Sequence, residues 1–129
     1  MPEEKDKVLE VINGYIDQHG DGKYFLNNST PDFKFIRPSG NPVDANAYSN
    51  MFESGEVVVS NSALGKLHKL EIYNEIAFVV FTQTASFTYK NKPNEDVFTV
   101  TALLKKENEK WKFSWFHRSS GDADINFWT

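Results

Sequence analysis

The chain has 129 residues, of which 40% are hydrophobic and 15% aromatic, which is enough to build one core. We therefore expect a single domain over residues 1–129. Fourteen basic against eighteen acidic residues give a net charge of −4 without a basic cluster, which argues against a nucleic-acid partner. There is no cysteine, so disulfides and thiolate chemistry are excluded. No apolar segment reaches the length of a membrane span and the N-terminus lacks the pattern of a signal peptide, so we expect a cytoplasmic protein without a membrane partner.

The first half of the chain has mainly helical patterns. Apolar residues recur at spacings of three and four from about Glu3 to His19, which predicts an amphipathic helix. A short second helix over Lys23 to Asn28 and a break at Ser29-Thr30-Pro31 are predicted next. A short strand then carries Phe33, Phe35 and Arg37 on one face. A third helix is predicted from Asn41 to Ser54, with Asp44 as its N-cap residue.

The second half has extended patterns rich in Val, Thr and Phe. It predicts a long or interrupted strand (57–59 and 64–72) and a second strand from Ile76 to Tyr89. A third strand is expected from Asp96 to Lys106 after a turn at Asn91 to Asn94, and a fourth from Lys110 to Ser119. The short connections make these strands antiparallel neighbours. The tail from Gly121 to Thr129 is polar and then apolar, and could cap the domain, reach a partner subunit or fray.

Strict alternation along the last strand would separate its side chains into two faces. Trp111, Phe113, Trp115 and His117 would share one face, and Lys112, Ser114, Phe116 and Arg118 the other. An aromatic face ending in an imidazole is typical of a pocket wall, and equally of a buried sheet face at its rim. The whole order of elements predicts an α+β domain whose helices cover one face of a strongly curved antiparallel sheet.

These elements resemble the nuclear transport factor two-like superfamily of conical α+β barrels, over nearly the whole chain. The resemblance is carried by the first helix, by Asp32-Phe33-Lys34-Phe35 leading through Pro38-Ser39-Gly40 to the third helix, and by Lys110-Trp111-Lys112-Phe113 running to His117-Arg118-Ser119. It implies a cavity between helices and sheet, and often a homodimer through the outer sheet face. It does not imply one chemistry, because this fold includes ketosteroid isomerases, dehydratases and plain binding proteins. The aspartates of this chain fall mainly at helix ends and loops, which disfavours the isomerase set.

Two residues are candidates for the polar end of the cavity. His117 could act as a general acid or base, since an imidazole generally titrates near neutral pH, although a structural, hydrogen-bonded histidine is the commoner situation. Arg37 could hold an anionic ligand or form an ion pair with a nearby carboxylate. His19 lies on the apolar stripe of the first helix, where it could meet the cavity, although interaction with the helix dipole in the last helical turn is the favoured explanation. The chain's other arginine, Arg118, also ends a strand.

The predicted ligand wall is aromatic, with Tyr48 and Phe52 on the helical side as residues that either line the pocket or belong to the core. The complete predicted ligand-binding set is Phe33, Phe35, Arg37, Tyr48, Phe52, Trp111, Phe113 and Trp115, with His117 as the catalytic candidate. No spacing indicates a metal site or an organic cofactor, so we expect neither. The favoured function is binding of a small hydrophobic or anionic molecule, with cofactor-free lyase or isomerase chemistry as its enzymatic version. The alternative is a noncatalytic dimerisation module.

Overall fold

The computed structural model describes residues 2–120, and side chains from Glu4 onward. The tail from Gly121 to Thr129, predicted to cap the domain, reach a partner subunit or fray, lies outside the described residues. The helices are α1 (Pro2–Asp17), α2 (Gly22–Asn27) and α3 (Ala45–Glu53). The strands are β1 (Ser29–Ile36), β2 (Pro42–Val43), β3 (Val57–Tyr73), β4 (Ile76–Tyr89), β5 (Lys92–Glu107) and β6 (Lys110–Ser120).

The helices pack against one face of a six-stranded sheet with the strand order β2-β1-β6-β5-β4-β3. This confirms the predicted α+β class, with two differences. The sheet is open rather than closed into a barrel, and it is mixed, because β1 runs parallel to β6 while the other neighbouring strands are antiparallel. A parallel pair needs a long connection between its strands, and here the chain between β1 and β6 supplies α3 and three further long strands.

Helix α1 contributes its apolar stripe to the core, as its periodicity predicts. Val8, Ile12, Tyr15 and Ile16 are all buried. The helix ends at Asp17, so His19 lies just beyond it rather than in its last turn. The dipole explanation for His19 is therefore wrong, and its position has to be explained by its neighbours.

Three predicted boundaries differ from the structure for local reasons. The strand β1 begins at Ser29 and continues through Pro31, with an irregular register against β6 that accommodates the proline. Helix α3 begins at Ala45 rather than Asn41, because Asp44 is extended and its carboxylate accepts a hydrogen bond from Ala47 N at 2.7 Å. The residues just before this cap form the short strand β2. The turn before β5 is Lys90-Asn91 rather than 91–94, because these two residues adopt the positive φ angles of a tight hairpin.

The decisive feature of β6 is a bulge at Ser114. Leu104 lies opposite Phe113 and Leu103 opposite Trp115, so Ser114 is an extra residue between two paired positions. An extra residue exchanges the faces of every side chain that follows it. Phe113 lies before the bulge and is buried on the helix-covered face. After the bulge, Phe116 and Arg118 are buried on that same face, while Trp115 and His117 are exposed on the outer face. The prediction that Trp115 and His117 share the face of Phe113 is therefore wrong.

Candidate ligand-binding site

A cavity of about 270 Å³ opens between α3 and the ends of β1, β3, β4 and β6. Its volume is just below the usual range for ligand pockets, which fits a small ligand. Most of its wall is apolar, and its polar groups come from a few side chains. The lining residues are His19, Phe35, Arg37, Ser39, Tyr48, Met51, Phe52, Val57, Val59, Phe87, Tyr89 and Arg118.

Arg118 is the charged residue at the base of this cavity. It is only 7% exposed, and its guanidinium carbon lies 5.0 Å from the ring centre of Phe35 and 4.6 Å from that of Phe98. Guanidinium groups stack favourably on aromatic rings and remain charged at every pH at which proteins fold. The bulge at Ser114 is what turns this arginine inward, since regular alternation would have placed it on the outer face.

Two tyrosines from different helices receive hydrogen bonds from Arg118. Its Nη2 donates to the hydroxyl of Tyr15 on α1 and, at 3.4 Å, to the hydroxyl of Tyr48 on α3. Burial raises the pKa of both phenols, so both hydroxyls stay neutral. The Nε atom of Arg118 is buried without a hydrogen-bond partner among the described residues.

Gln83 connects this pair to His19. The Tyr15 hydroxyl donates to Gln83 Oε1 at 2.7 Å, and Gln83 Nε2 lies 3.1 Å from both His19 Nδ1 and Ser62 Oγ. Since an amide nitrogen only donates, His19 Nδ1 accepts and His19 Nε2 carries the hydrogen. The Nε2 atom donates this hydrogen to the Tyr48 hydroxyl, whose oxygen lies 3.4 Å from Nε2.

The Tyr48 hydroxyl accepts two hydrogen bonds at the base of the cavity. Tyr48 accepts from both His19 and Arg118, so neither bond uses the hydrogen of its own hydroxyl. Burial, and then the charge of Arg118, lower the pKa of His19 to about 3, which keeps the imidazole neutral. The base of the cavity therefore holds the Arg118 cation beside the neutral side chains of Tyr48 and His19.

No carboxylate neutralises Arg118 within residues 4–120. The ion pairs of these residues involve lysines at the surface, and none includes either arginine. Buried charges are normally paired, because removing a charge from water costs several kcal/mol. A buried guanidinium beside a cavity, without a carboxylate partner in residues 4–120, is the arrangement that an anion would complete.

The predicted ligand-binding residues fall into three groups. Phe35, Arg37, Tyr48 and Phe52 do line the cavity. Phe33, Phe113 and Trp111 are buried in the core and do not line the cavity. The indole of Trp111 donates a hydrogen bond to the Glu4 carboxylate at 2.9 Å. Trp115 and His117 lie on the outer face, so His117 has no access to the cavity and its assignment as the acid or base there is corrected.

Sequence reasoning missed Arg118, Tyr15, Gln83 and His19 as a connected group. Arg118 carried a usable signal, since the chain has only two arginines and one is already placed at the cavity by its strand. Strict alternation assigned Arg118 to the face opposite Phe113, because alternation along one strand does not predict a one-residue bulge. In the part of the chain with described side chains, no three His, Asp or Glu residues form a metal-binding group. The prediction that no metal or cofactor is used stays a prediction.

Comparison with solved structures confirms the resemblance to the nuclear transport factor two-like superfamily. An NTF2-like protein of unknown function from Prochlorococcus is 42% identical, with a TM-score of 0.84 over 96% of this chain and 98% of that one. A putative calcium/calmodulin-dependent kinase II association domain from Exiguobacterium sibiricum shares the fold at 19% identity and TM-score 0.80, covering 92% of this chain and 93% of its own. A ketosteroid isomerase-like protein from Erwinia carotovora shares it at 15% identity and TM-score 0.75, covering 95% and 99%.

The two more distant structures show the fold alone. No curated protein matches the chain. Among the described residues, no helix is long and apolar enough to cross a membrane. One family model, DUF3804, described as a protein of unknown function, matches residues 3–129. The chain therefore belongs to the DUF3804 family and is NTF2-like in fold.

Proposed function

We propose that this protein binds a small apolar carboxylic acid, as its anion, in the cavity above Arg118. The single observation that carries the proposal is the buried guanidinium without a carboxylate partner among the described residues. A ligand carboxylate would accept from Arg118 and from the Tyr48 hydroxyl, and its apolar part would lie against the wall formed by α3 and β3. Proton transfer by His117 is not part of the proposal, because that imidazole lies on the opposite face.

Hexanoate is a suitable probe, and hexanol is its uncharged counterpart. Calorimetric titration should show binding of hexanoate and much weaker binding of hexanol, because only the carboxylate completes the arginine site. Arg118→Met should weaken hexanoate binding by about ten- to a hundredfold, the range for a charge-assisted hydrogen bond. Lys34→Met is the matched control, since it removes one positive charge from the exposed outer face of β1.

The same variant tests whether Arg118 serves stability. Arg118→Met removes the desolvation cost of a buried cation together with its hydrogen bonds to Tyr15 and Tyr48, and these two effects oppose each other. We expect urea unfolding of Arg118→Met to differ from the unmodified protein by no more than about 1 kcal/mol. A large loss of stability in Arg118→Met, with hexanoate binding by the folded variant unchanged, would assign the arginine to folding and contradict the proposal.

A second candidate function, an interaction module, rests on the outer sheet face. Phe78, Leu103 and Trp115 lie side by side on β4, β5 and β6, and Trp115 is 44% exposed. The Exiguobacterium relative is an association domain by description, which supports asking whether this face forms a subunit contact. Both functions are compatible, because the cavity and this row occupy opposite faces of the sheet.

A further inference from the structure

The mouth of the cavity holds the second arginine of the chain. Arg37 directly follows β1, whose Phe35 lies opposite Phe116 and whose Ile36 lies opposite His117 on the parallel strand β6. Continuing this register by one residue places Arg37 beside Arg118 on the same face of the sheet. Both side chains line the cavity. The only two arginines of the chain thus meet at one site, although like charges on adjacent strands disfavour each other.

The two guanidinium groups are held in different directions. The guanidinium of Arg118 donates hydrogen bonds to Tyr15 and Tyr48 in the interior. Arg37 is half-buried, and its Nε donates to the backbone oxygen of Asn41 at 3.1 Å in the loop outside the sheet. This contact fixes the side chain near the mouth. No residue with a described side chain accepts from its Nη atoms, and no carboxylate of residues 4–120 forms an ion pair with it.

The rest of the wall around these two cations is mainly apolar. Met51, Phe52, Val57, Val59 and Phe87 supply most of its apolar surface. A cavity of about 270 Å³ has the volume of about nine water molecules in the liquid, which limits the ligand to roughly that number of non-hydrogen atoms or slightly more. A ligand with two anionic ends and a short apolar middle would match both the two cations and this apolar wall.

We propose that the natural ligand class is a short, flexible dicarboxylic acid, with one carboxylate on Arg118 and the other on Arg37. This inference rests on the proposed function, since it adds a second anionic end to the acid bound at Arg118. The opposing possibility is one dianionic group, such as phosphate, shared between the two arginines. The separate anchoring of the two guanidinium groups favours two carboxylates over one shared group.

Titration with four probes tests the inference. Adipate carries two charges, monomethyl adipate has nearly the same size and one charge, hexanoate is the simple monoacid, and inorganic phosphate is the single dianionic group. We expect adipate to bind about one-and-a-half- to fivefold more tightly than monomethyl adipate, the range for a partly exposed ion pair. Arg37→Gln should remove this preference and leave the affinity for monomethyl adipate nearly unchanged. Lys34→Gln, which removes a charge from the outer face of the same strand, should keep the preference.

Each other outcome has a definite meaning. Equal affinity for adipate and monomethyl adipate overturns the dicarboxylate inference and leaves the proposed monoacid function standing. A preference for adipate that persists in Arg37→Gln also overturns it, because Arg37 then does not hold the second end. Tighter binding of phosphate than of adipate assigns both arginines to one group and overturns it as well. Absence of binding by all three organic acids overturns both proposals.

Discussion

His19 shows how one residue depends on the whole cluster around it. The groups that face it are the Tyr15 ring, the Tyr48 hydroxyl, the Gln83 amide and the Arg118 cation, and none of them is a carboxylate. Burial, followed by Arg118, therefore lowers the pKa of His19 to about 3, against about 6.5 in an unfolded chain. Within that window the unfolded chain binds a proton that the folded protein does not. The free energy of unfolding must then fall as the pH falls from 6.5 toward 3.

This dependence can be measured above the range in which most carboxylates titrate. Between pH 7 and pH 5 we expect the unmodified protein to lose about 1 to 2 kcal/mol more of its unfolding free energy than His19→Gln does, measured by urea unfolding. His117→Gln changes an exposed histidine of the outer face and should keep the unmodified slope. If the unfolding free energy depended equally on pH in the unmodified protein and in His19→Gln, the pKa of His19 would be the same in the folded and unfolded states, which would contradict this prediction.

At the level of single elements, α3 links a local signal to the cavity. This helix carries Tyr48 and Phe52, both of which line the cavity, and its N-terminus is held by the Asp44 cap that the sequence predicted. The cap satisfies the backbone N–H of Ala47, which has no partner within the helix. An element so short depends strongly on its end contacts.

Asp44→Ala should therefore lower the free energy of unfolding by about 1 kcal/mol, the usual cost of removing an N-cap acceptor. Asp44→Asn keeps an oxygen at the same place and should lose much less. Thermal or urea unfolding of both variants provides the measurement. Equal losses in the two variants would mean that the aspartate charge matters here and the cap hydrogen bond does not.

On the scale of the molecule, the outer sheet face is where a homodimer would form. We propose this assembly because the row of Phe78, Leu103 and Trp115 crosses three strands without a covering helix among the described residues. A sheet with apolar residues on both faces is stabilised when both are covered.

Sedimentation at micromolar concentration should show a dimer that Trp115→Glu converts largely to monomer. Leu26→Glu is the control, because Leu26 is exposed to a similar degree, 43%, but lies on α2 in the helical layer. A monomer for the unmodified protein, or a dimer that survives Trp115→Glu unchanged, would contradict this interface.

The sequence by itself determined the class of fold and about a third of the cavity wall, four of its twelve lining residues. Helical periodicity, β-branched and aromatic runs and turn residues are local signals, and they located all three helices and the four long C-terminal strands to within a few residues. Alternation on β1 also placed Phe35 and Arg37 on the cavity face, because no bulge follows Phe33. Helical spacing did the same for Tyr48 and Phe52.

Only the tertiary structure decided which residues form the base of the site. The bulge at Ser114 arises from how β6 pairs with β5, and pairing between strands leaves no trace in the order of residues along one of them. That one extra residue moved Trp115 and His117 outward and Arg118 inward. The cluster of Arg118, Tyr15, Tyr48, Gln83 and His19 joins α1, α3, β4 and β6, so it exists only once the helices lie on the sheet.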